Sequence, residues 1–334
     1  MVRYRFVFSA LTVLLLVVFA TPVARLAEAQ TARIEIHAFE TMTLTDEQFL
    51  TGSKEGKTTH IGGELRLPSG IDRFPAVVLI HSCGGVGANV DRWAQELNSI
   101  GVAAFLVDSF TGRGILQTCS DQSQLGHLAM IFDAYRALEL LSKHPRIDSS
   151  RIAVMGFSKG GFAALYSSMK RFQHMYGPAN GEFAAYIPFY ARCETHYIDD
   201  EQVSDHPIRI FHGEADDYVP VGPCRAYVER LRQRGKDVQI TVYPGAHHAF
   251  DNSLYPAIRS LPDAEVSTRC RREERAGGEL TNLDTGKPFS VKDACVTRGA
   301  TVGYDPTAHA EAVKAVRAFL ASTFRLGPVT PSRN

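Results

Sequence analysis

The sequence predicts an α/β protein with a mostly parallel central sheet and helices on both of its faces. Two observations carry this. From Arg33 onward, short runs rich in β-branched and apolar residues alternate with amphipathic stretches, the order that repeated strand–helix–strand units impose. One of those runs, Pro75 to His81 (PAVVLIH), is apolar at nearly every position, as suits a strand covered on both sides.

Taken in order, Ile34 to Thr43 and Gly63 to Leu67 read as opening strands. After Pro75 to His81 come Val102 to Asp108, Arg151 to Gly156, Phe183 to Tyr190, Pro207 to Gly213 and Val238 to Tyr243. Leu128, Ile131, Tyr135 and Leu138 follow the three-and-four spacing that places apolar side chains on one helical face. Phe162 to Met169 is helix-like, and Val313, Val316, Phe319 and Leu320 mark a closing helix that stops before Gly327-Pro328. The alternation is continuous, so one domain over residues 30–334 is expected. One segment breaks the rhythm. Asp251 to Asp305 is polar, carries Arg269, Arg271, Arg272 and Arg275, and lacks strong periodicity. It is far longer than the roughly 15 residues beyond which loops are usually lids or binding elements, and it is expected as an insertion or lid-like loop that Cys270 and Cys295 could clip.

With 36 Lys plus Arg against 36 Asp plus Glu, the formal charge is zero. No basic run is long enough to track a phosphate backbone, which argues against a nucleic-acid partner. Residues 1–29 differ in kind: Arg3 and Arg5 precede an apolar run from Phe6 to Ala20, and Ala27-Glu28-Ala29 offers small residues at a cleavage spacing. This is the pattern of an export signal. The run falls short of the roughly 20 residues a spanning helix needs, so no stable membrane anchor is expected, and the mature chain would start near Gln30 in a secreted or periplasmic setting. There the six cysteines, Cys83, Cys119, Cys193, Cys224, Cys270 and Cys295, can form and keep disulfides. Spacing alone does not choose among the pairings, and the absence of a CxxC weakens a zinc or redox reading.

The chemistry centres on Gly156-Phe157-Ser158-Lys159-Gly160-Gly161, between the strand ending at Gly156 and the helix-like Phe162 to Met169. A GxSxG in a strand–turn–helix context forms a turn so tight that its flanks must be glycine, and it lifts the serine hydroxyl above the sheet. A serine hydroxyl is a poor nucleophile at neutral pH, so it needs a histidine to take its proton and a carboxylate to orient that histidine. The expected chain order is serine, acid, histidine. Asp216 lies just past the strand Pro207 to Gly213, and His248 just past Val238 to Tyr243. Both sit at the carboxyl edge where open α/β sheets bind ligands. Asp217 or Glu214 could replace Asp216, and His247 could replace His248. Charge developing on the carbonyl oxygen requires an oxyanion hole, for which the backbone N–H groups of Lys159 and of Cys83, in the glycine-rich turn His81-Ser82-Cys83-Gly84-Gly85, are the candidates.

These residues resemble the dienelactone hydrolase family of α/β-hydrolases, from about Gly63 to Leu320. The likeness rests on HSCGG, DSFTGRG at Asp108 to Gly114, GFSKGG, GEADDYVP, and YPGAHHAFD at Tyr243 to Asp251. It implies an α/β-hydrolase fold, a Ser158, Asp216, His248 triad, and hydrolysis of a small-molecule carboxylic ester or lactone without a cofactor or metal. Dienelactone hydrolase itself carries cysteine where this chain has Ser158, which detaches the family name from that substrate. Arg113 resembles an arginine that family members use to hold a substrate carboxylate, although a salt bridge to a neighbouring acid explains it equally well. The resemblance also implies disulfides Cys83–Cys119 and Cys193–Cys224, with Cys270–Cys295 remaining.

Among rival readings, Gly52-Ser53-Lys54-Glu55-Gly56-Lys57-Thr58 echoes a phosphate-binding loop, but it is one residue short and follows no apolar strand. It reads as a polar hairpin. A metal hydrolase built on His81, His247 and His248 lacks the helical HExxH spacing. A peptidase or acyl transferase could use the same triad, since fold and triad do not fix the acyl group. Outside enzymes, the alternative is an inactive secreted binding protein on this scaffold.

Overall fold

A computed structural model describes residues 1–2, 31–70, 73–179 and 181–327. The expected export signal over residues 1–29 lies outside the described residues apart from its first two. The chain opens with β1 (Thr31–Thr43), α1 (Asp46–Leu50), β2 (Lys57–Pro68), β3 (Phe74–Ile80), α2 (Ala88–Ser99) and β4 (Ala103–Asp108). It continues through α3 (His127–Ser142), β5 (Ile147–Phe157), α4 (Lys159–Tyr166), α5 (Lys170–Tyr176), β6 (Ala185–Phe189), β7 (Thr195–His196) and β8 (Ile208–Gly213). Then follow α6 (Val221–Gln233), β9 (Val238–Tyr243), β10 (Arg259–Val266), β11 (Arg272–Glu274), β12 (Leu280–Asn282), β13 (Lys287–Pro288), β14 (Thr297–Val302) and α7 (Pro306–Thr323).

The main sheet has eight strands in the order β1-β2-β4-β3-β5-β6-β8-β9. Only the first two pairings, β1 with β2 and β2 with β4, are antiparallel; the remaining pairings are parallel. The uniformly apolar run near Pro75 is explained directly, because every residue of β3 is buried. Its side chains alternate between two clusters. Ala76, Val78 and Ile80 join the side covered by α3 and α6, with Tyr135, Leu138 and Leu231. Val77 and Leu79 join the side covered by α2 and α7, with Trp93, Leu97, Val316 and Leu320. Each buried Val, Leu or Ile among these contributes roughly 1.5–3 kcal/mol, so the alternation fixes the register of the sheet.

Two expectations change. The Gly52 to Thr58 stretch joins the unforeseen α1 to β2; α1 is closed by a capping box between Thr45 and Gln48. Asp251 to Asp305, expected as an insertion or lid-like loop, carries regular structure. It folds into a β10–β14 ribbon and supplies β11, β12 and β13 to a second small sheet completed by β7. β11, β12 and β13 are only two or three residues long, and β10 and β14 carry few apolar residues, which is why no period-two apolar pattern announced them. All three disulfides, Cys83–Cys119, Cys193–Cys224 and Cys270–Cys295, form as expected. No helix among the described residues is long and apolar enough to cross a membrane.

Candidate active site

The parallel strands deliver their carboxyl ends to one edge of the sheet. Ser158 sits between β5 and α4 with φ 53° and ψ −110°, a conformation that costs a non-glycine residue energy and recurs at functional turns. The glycines around it let the backbone close up. A Cβ on Gly156 would lie 2.0 Å from Gly160 O, one on Gly160 2.1 Å from Ile80 O, and one on Gly161 2.3 Å from Phe189 O. The same close approach sets the turn after β3 against the start of α4.

The structure brings Ser158, His248 and Asp216 together. His248 Nε2 lies 2.9 Å from Ser158 Oγ, and His248 Nδ1 lies 2.7 Å from Asp216 Oδ2. The other Asp216 oxygen accepts the backbone N–H groups of Tyr218 (3.0 Å) and Val219 (2.7 Å). Since the carboxylate accepts at Nδ1, that nitrogen carries the proton and Nε2 is left to accept from the serine. The alternative acids named from sequence are engaged elsewhere, and His247, whose Nδ1 has no hydrogen-bond partner, does not take the place of His248 between Ser158 and Asp216. Asp217 accepts from the Thr301 N–H and hydroxyl, both at 2.8 Å, and Glu214 is exposed beside Arg225. His81 contacts Ser82 O through Nδ1 and accepts the Ser109 N–H at Nε2, so it does not converge with His247 and His248.

Two aromatic rings clasp the imidazole: Tyr190 at 4.7 Å and Tyr218 at 4.9 Å between centroids. Tyr190 has φ 36° and donates its hydroxyl to Asp251 (2.7 Å), which also accepts the Trp93 indole N–H (2.8 Å). The insertion holds the base from a third side. The Gly303 N–H donates to His248 O, and His248 bridges Val302.

Lys159 opens α4, where the first backbone N–H groups have no partner within the helix. Cys83 is buried and tied to Cys119, which removes its thiol as a rival nucleophile; its carbonyl accepts the Thr118 N–H. The Lys159 side chain turns inward, its ammonium held by Gln122 and Leu125 O. Burial, reinforced by Arg192 and opposed by Asp46, Glu265 and Asp121, pushes its pKa down to about 7.

Arg113 requires a correction. Its side chain is 3% exposed and forms a bidentate pair with Asp133. Its remaining N–H groups go to Ser109 O, Thr43 Oγ1 and Met42 O, so none is left for a substrate carboxylate. Arg192, which sequence reasoning missed, lines the Ser158 cleft together with Lys159. It sits just past the carboxyl end of β6, a position the edge rule for open sheets could have flagged. Arg192 pairs with Glu194 and donates to Ser267.

The sheet order, the serine turn and the histidine–carboxylate pair past its last strands define an α/β-hydrolase. The family model for the dienelactone hydrolases matches residues 61–281. The chain belongs to the dienelactone hydrolase family, and it is a carboxylic ester hydrolase, acting on esters or lactones. Relatives include protein usf of Aquifex pyrophilus, 27% identical over 193 residues, covering 53% of this chain and 77% of that protein. Another, from Bradyrhizobium, bears the name probable 2-oxo-3-(5-oxofuran-2-ylidene)propanoate lactonase and is 22% identical over 216 residues, covering 60% of this chain and 84% of that protein. Among solved structures, a dienelactone hydrolase-like promiscuous phosphotriesterase from metagenomic libraries superposes with a TM-score of 0.56 at 19% identity, covering 86% of this chain and 98% of that one.

Proposed function

We propose that the chain hydrolyses esters or lactones through an acyl-enzyme, with Ser158 as nucleophile, His248 as general base and acid, and Asp216 as the group that orients His248. The hydrogen-bond run from Asp216 through His248 to Ser158 Oγ carries this reading. As Oγ attacks the carbonyl carbon, His248 Nε2 takes its proton and the carbonyl oxygen becomes an oxyanion, which the Lys159 and Cys83 N–H groups stabilise. The tetrahedral species collapses, the C–O bond to the alcohol breaks, and His248 returns the proton to the departing oxygen. Water, deprotonated by His248, then attacks the acyl carbon; the bond to Ser158 Oγ breaks, His248 returns the proton to Oγ, and the acid leaves. In a lactone the departing hydroxyl stays attached to the product.

The same reading places the enzyme outside the cytoplasm. An N-terminal stretch with the pattern of an export signal and three disulfides with no free cysteine among the described residues both support a secreted or periplasmic setting.

A fluorophosphonate probe tests the chemistry, because it reacts with an activated serine. Labelling at Ser158 alone, together with loss of nearly all turnover in Ser158→Ala, is the expected result. Substantial hydrolysis of a short-chain nitrophenyl ester by the alanine variant would overturn the assignment.

A further inference from the structure

The cleft at Ser158 is narrow, and its walls are polar. Apart from Val219, every side chain lining it carries a polar group, among them Gln122, Tyr218, Arg192, Glu265, Ser267 and Thr268. Most of these groups are committed. Arg192 serves Glu194 and Ser267, the Lys159 ammonium serves Gln122 and Leu125, and the Thr268 hydroxyl donates to Tyr218 O.

Two polar atoms on these walls are buried without a well-formed hydrogen bond, the Tyr218 hydroxyl and Glu265 Oε1; Gln122 is a polar neighbour of both residues, without hydrogen-bond geometry to either atom. Such groups lose their hydration without recovering a bond, and native structures rarely leave them so without a reason. Neither can easily turn away. The Tyr218 backbone is fixed at both ends, its N–H on Asp216 and its carbonyl under the Thr268 hydroxyl, and its ring packs on His248. The Glu265 N–H donates to Cys119 O, and Glu265 pairs with Arg298 across the β10–β14 ribbon. Burial pushes the Tyr218 phenol up to about 12, so its O–H remains a donor at neutral pH. Glu265 also lines a larger, more open depression next to the cleft, and therefore stands where the reactive centre meets the rest of a substrate.

We propose that this cleft selects short hydrophilic esters or lactones bearing free hydroxyl groups, with the Tyr218 hydroxyl donating to the substrate and the Glu265 carboxylate accepting from it. The inference rests on the Ser158 mechanism and names the substrate class for that site. A site built to hydrogen-bond a substrate hydroxyl rejects the analogue that lacks it, because the buried protein groups then stay unpaired. An alkyl ester of the same size would leave both atoms unpaired.

Matched ester pairs test this. Methyl 3-hydroxybutyrate against methyl butyrate places the hydroxyl on the acyl side; glyceryl monobutyrate against propyl butyrate places it on the alcohol side. In at least one pair the wild-type enzyme is expected to favour the hydroxylated ester by roughly tenfold or more in kcat/KM. Tyr218→Phe, which keeps the ring on His248, and Glu265→Met should each lower that ratio by roughly threefold or more. The ratio normalises away any general loss of activity or folded fraction. No preference in either pair, or an undiminished ratio in both variants, overturns the proposal. Fluorophosphonate labelling of wild-type Ser158 separates the two failures. A labelled enzyme without hydroxyl preference leaves the serine mechanism standing and removes the substrate class, whereas an unlabelled one removes both.

Discussion

Replacing Asp216 by asparagine changes one atom and should nearly silence the enzyme. Asp216 Oδ1 accepts two backbone N–H groups, from Tyr218 and Val219. An amide at this position must keep its oxygen there, because the reverse orientation would set an NH2 against two N–H donors. The NH2 then takes the place of Oδ2 and points at His248 Nδ1, now 2.7 Å from a carboxylate oxygen. His248 must shift its proton to Nε2 to accept from it, and the nitrogen facing Ser158 becomes a donor that cannot remove the serine proton. In serine hydrolases of this arrangement the wrong tautomer lowers kcat by about ten-thousand-fold, or about 5.5 kcal/mol at 1.36 kcal/mol per decade. Steady-state hydrolysis of a nitrophenyl ester, with the folded fraction checked by circular dichroism, measures it. Asp217→Asn is the control: its amide oxygen can still accept the Thr301 N–H and its NH2 can donate to the Thr301 hydroxyl, so kcat should change less than about tenfold. Retention of more than roughly a tenth of wild-type kcat by Asp216→Asn would refute the tautomer argument.

Arg113→Met should destabilise the protein by about 3–5 kcal/mol in urea unfolding, since it strands Asp133 as a buried unpaired charge. The relative kcat/KM for carboxylated and neutral esters should stay as it was, and a selective loss on carboxylated substrates would return Arg113 to substrate binding. Removing Cys83–Cys119 by a double serine substitution frees a loop of 36 residues, for which chain entropy predicts a loss of about 4 kcal/mol; an unchanged denaturation midpoint would contradict this. Lys159 makes stability depend on pH. Its folded pKa of about 7 lies below the ordinary 10.5, so between those values the unfolded chain binds more protons and stability rises with pH. Lys159→Met, which keeps the backbone N–H, should flatten this rise in unfolding curves recorded from pH 6 to 9.

The parallel core was legible because β3 and its neighbours are buried on both faces, and a run such as PAVVLIH admits few other readings. The serine turn was legible because its glycines answer to backbone clashes, which leave a fixed spacing in the sequence. Ordering along the chain pointed to Asp216 and His248 without excluding Asp217 or His247; the contacts of Asp217 with Thr301 depend on the position of a strand 84 residues away. Arg113 misled because a guanidinium bound by substrate and one bound by Asp133 leave the same letter. Glu265 had no signature at all, and Tyr218, though inside GEADDYVP, carried none for its place on the cleft wall. An unpartnered atom is defined by its surroundings, and those come from segments distant in sequence.

The insertion also does more than wall the cleft. Acid and base stand on separate loops, after β8 and β9, and Asp216–His248 geometry survives only if those loops keep their spacing. β14 touches both: Thr301 donates twice to Asp217, directly after the acid, and the next residue, Val302, bridges His248. The antiparallel partner of β14 is β10, which carries Glu265 into the cleft. One ribbon thus spaces the catalytic loops and presents a wall of the substrate site, so a substitution that shifts the β10–β14 register should alter turnover and selectivity together. Polar strands with little apolar area hold such a ribbon weakly on their own, which gives a physical reason for Cys270–Cys295 to close the segment between them.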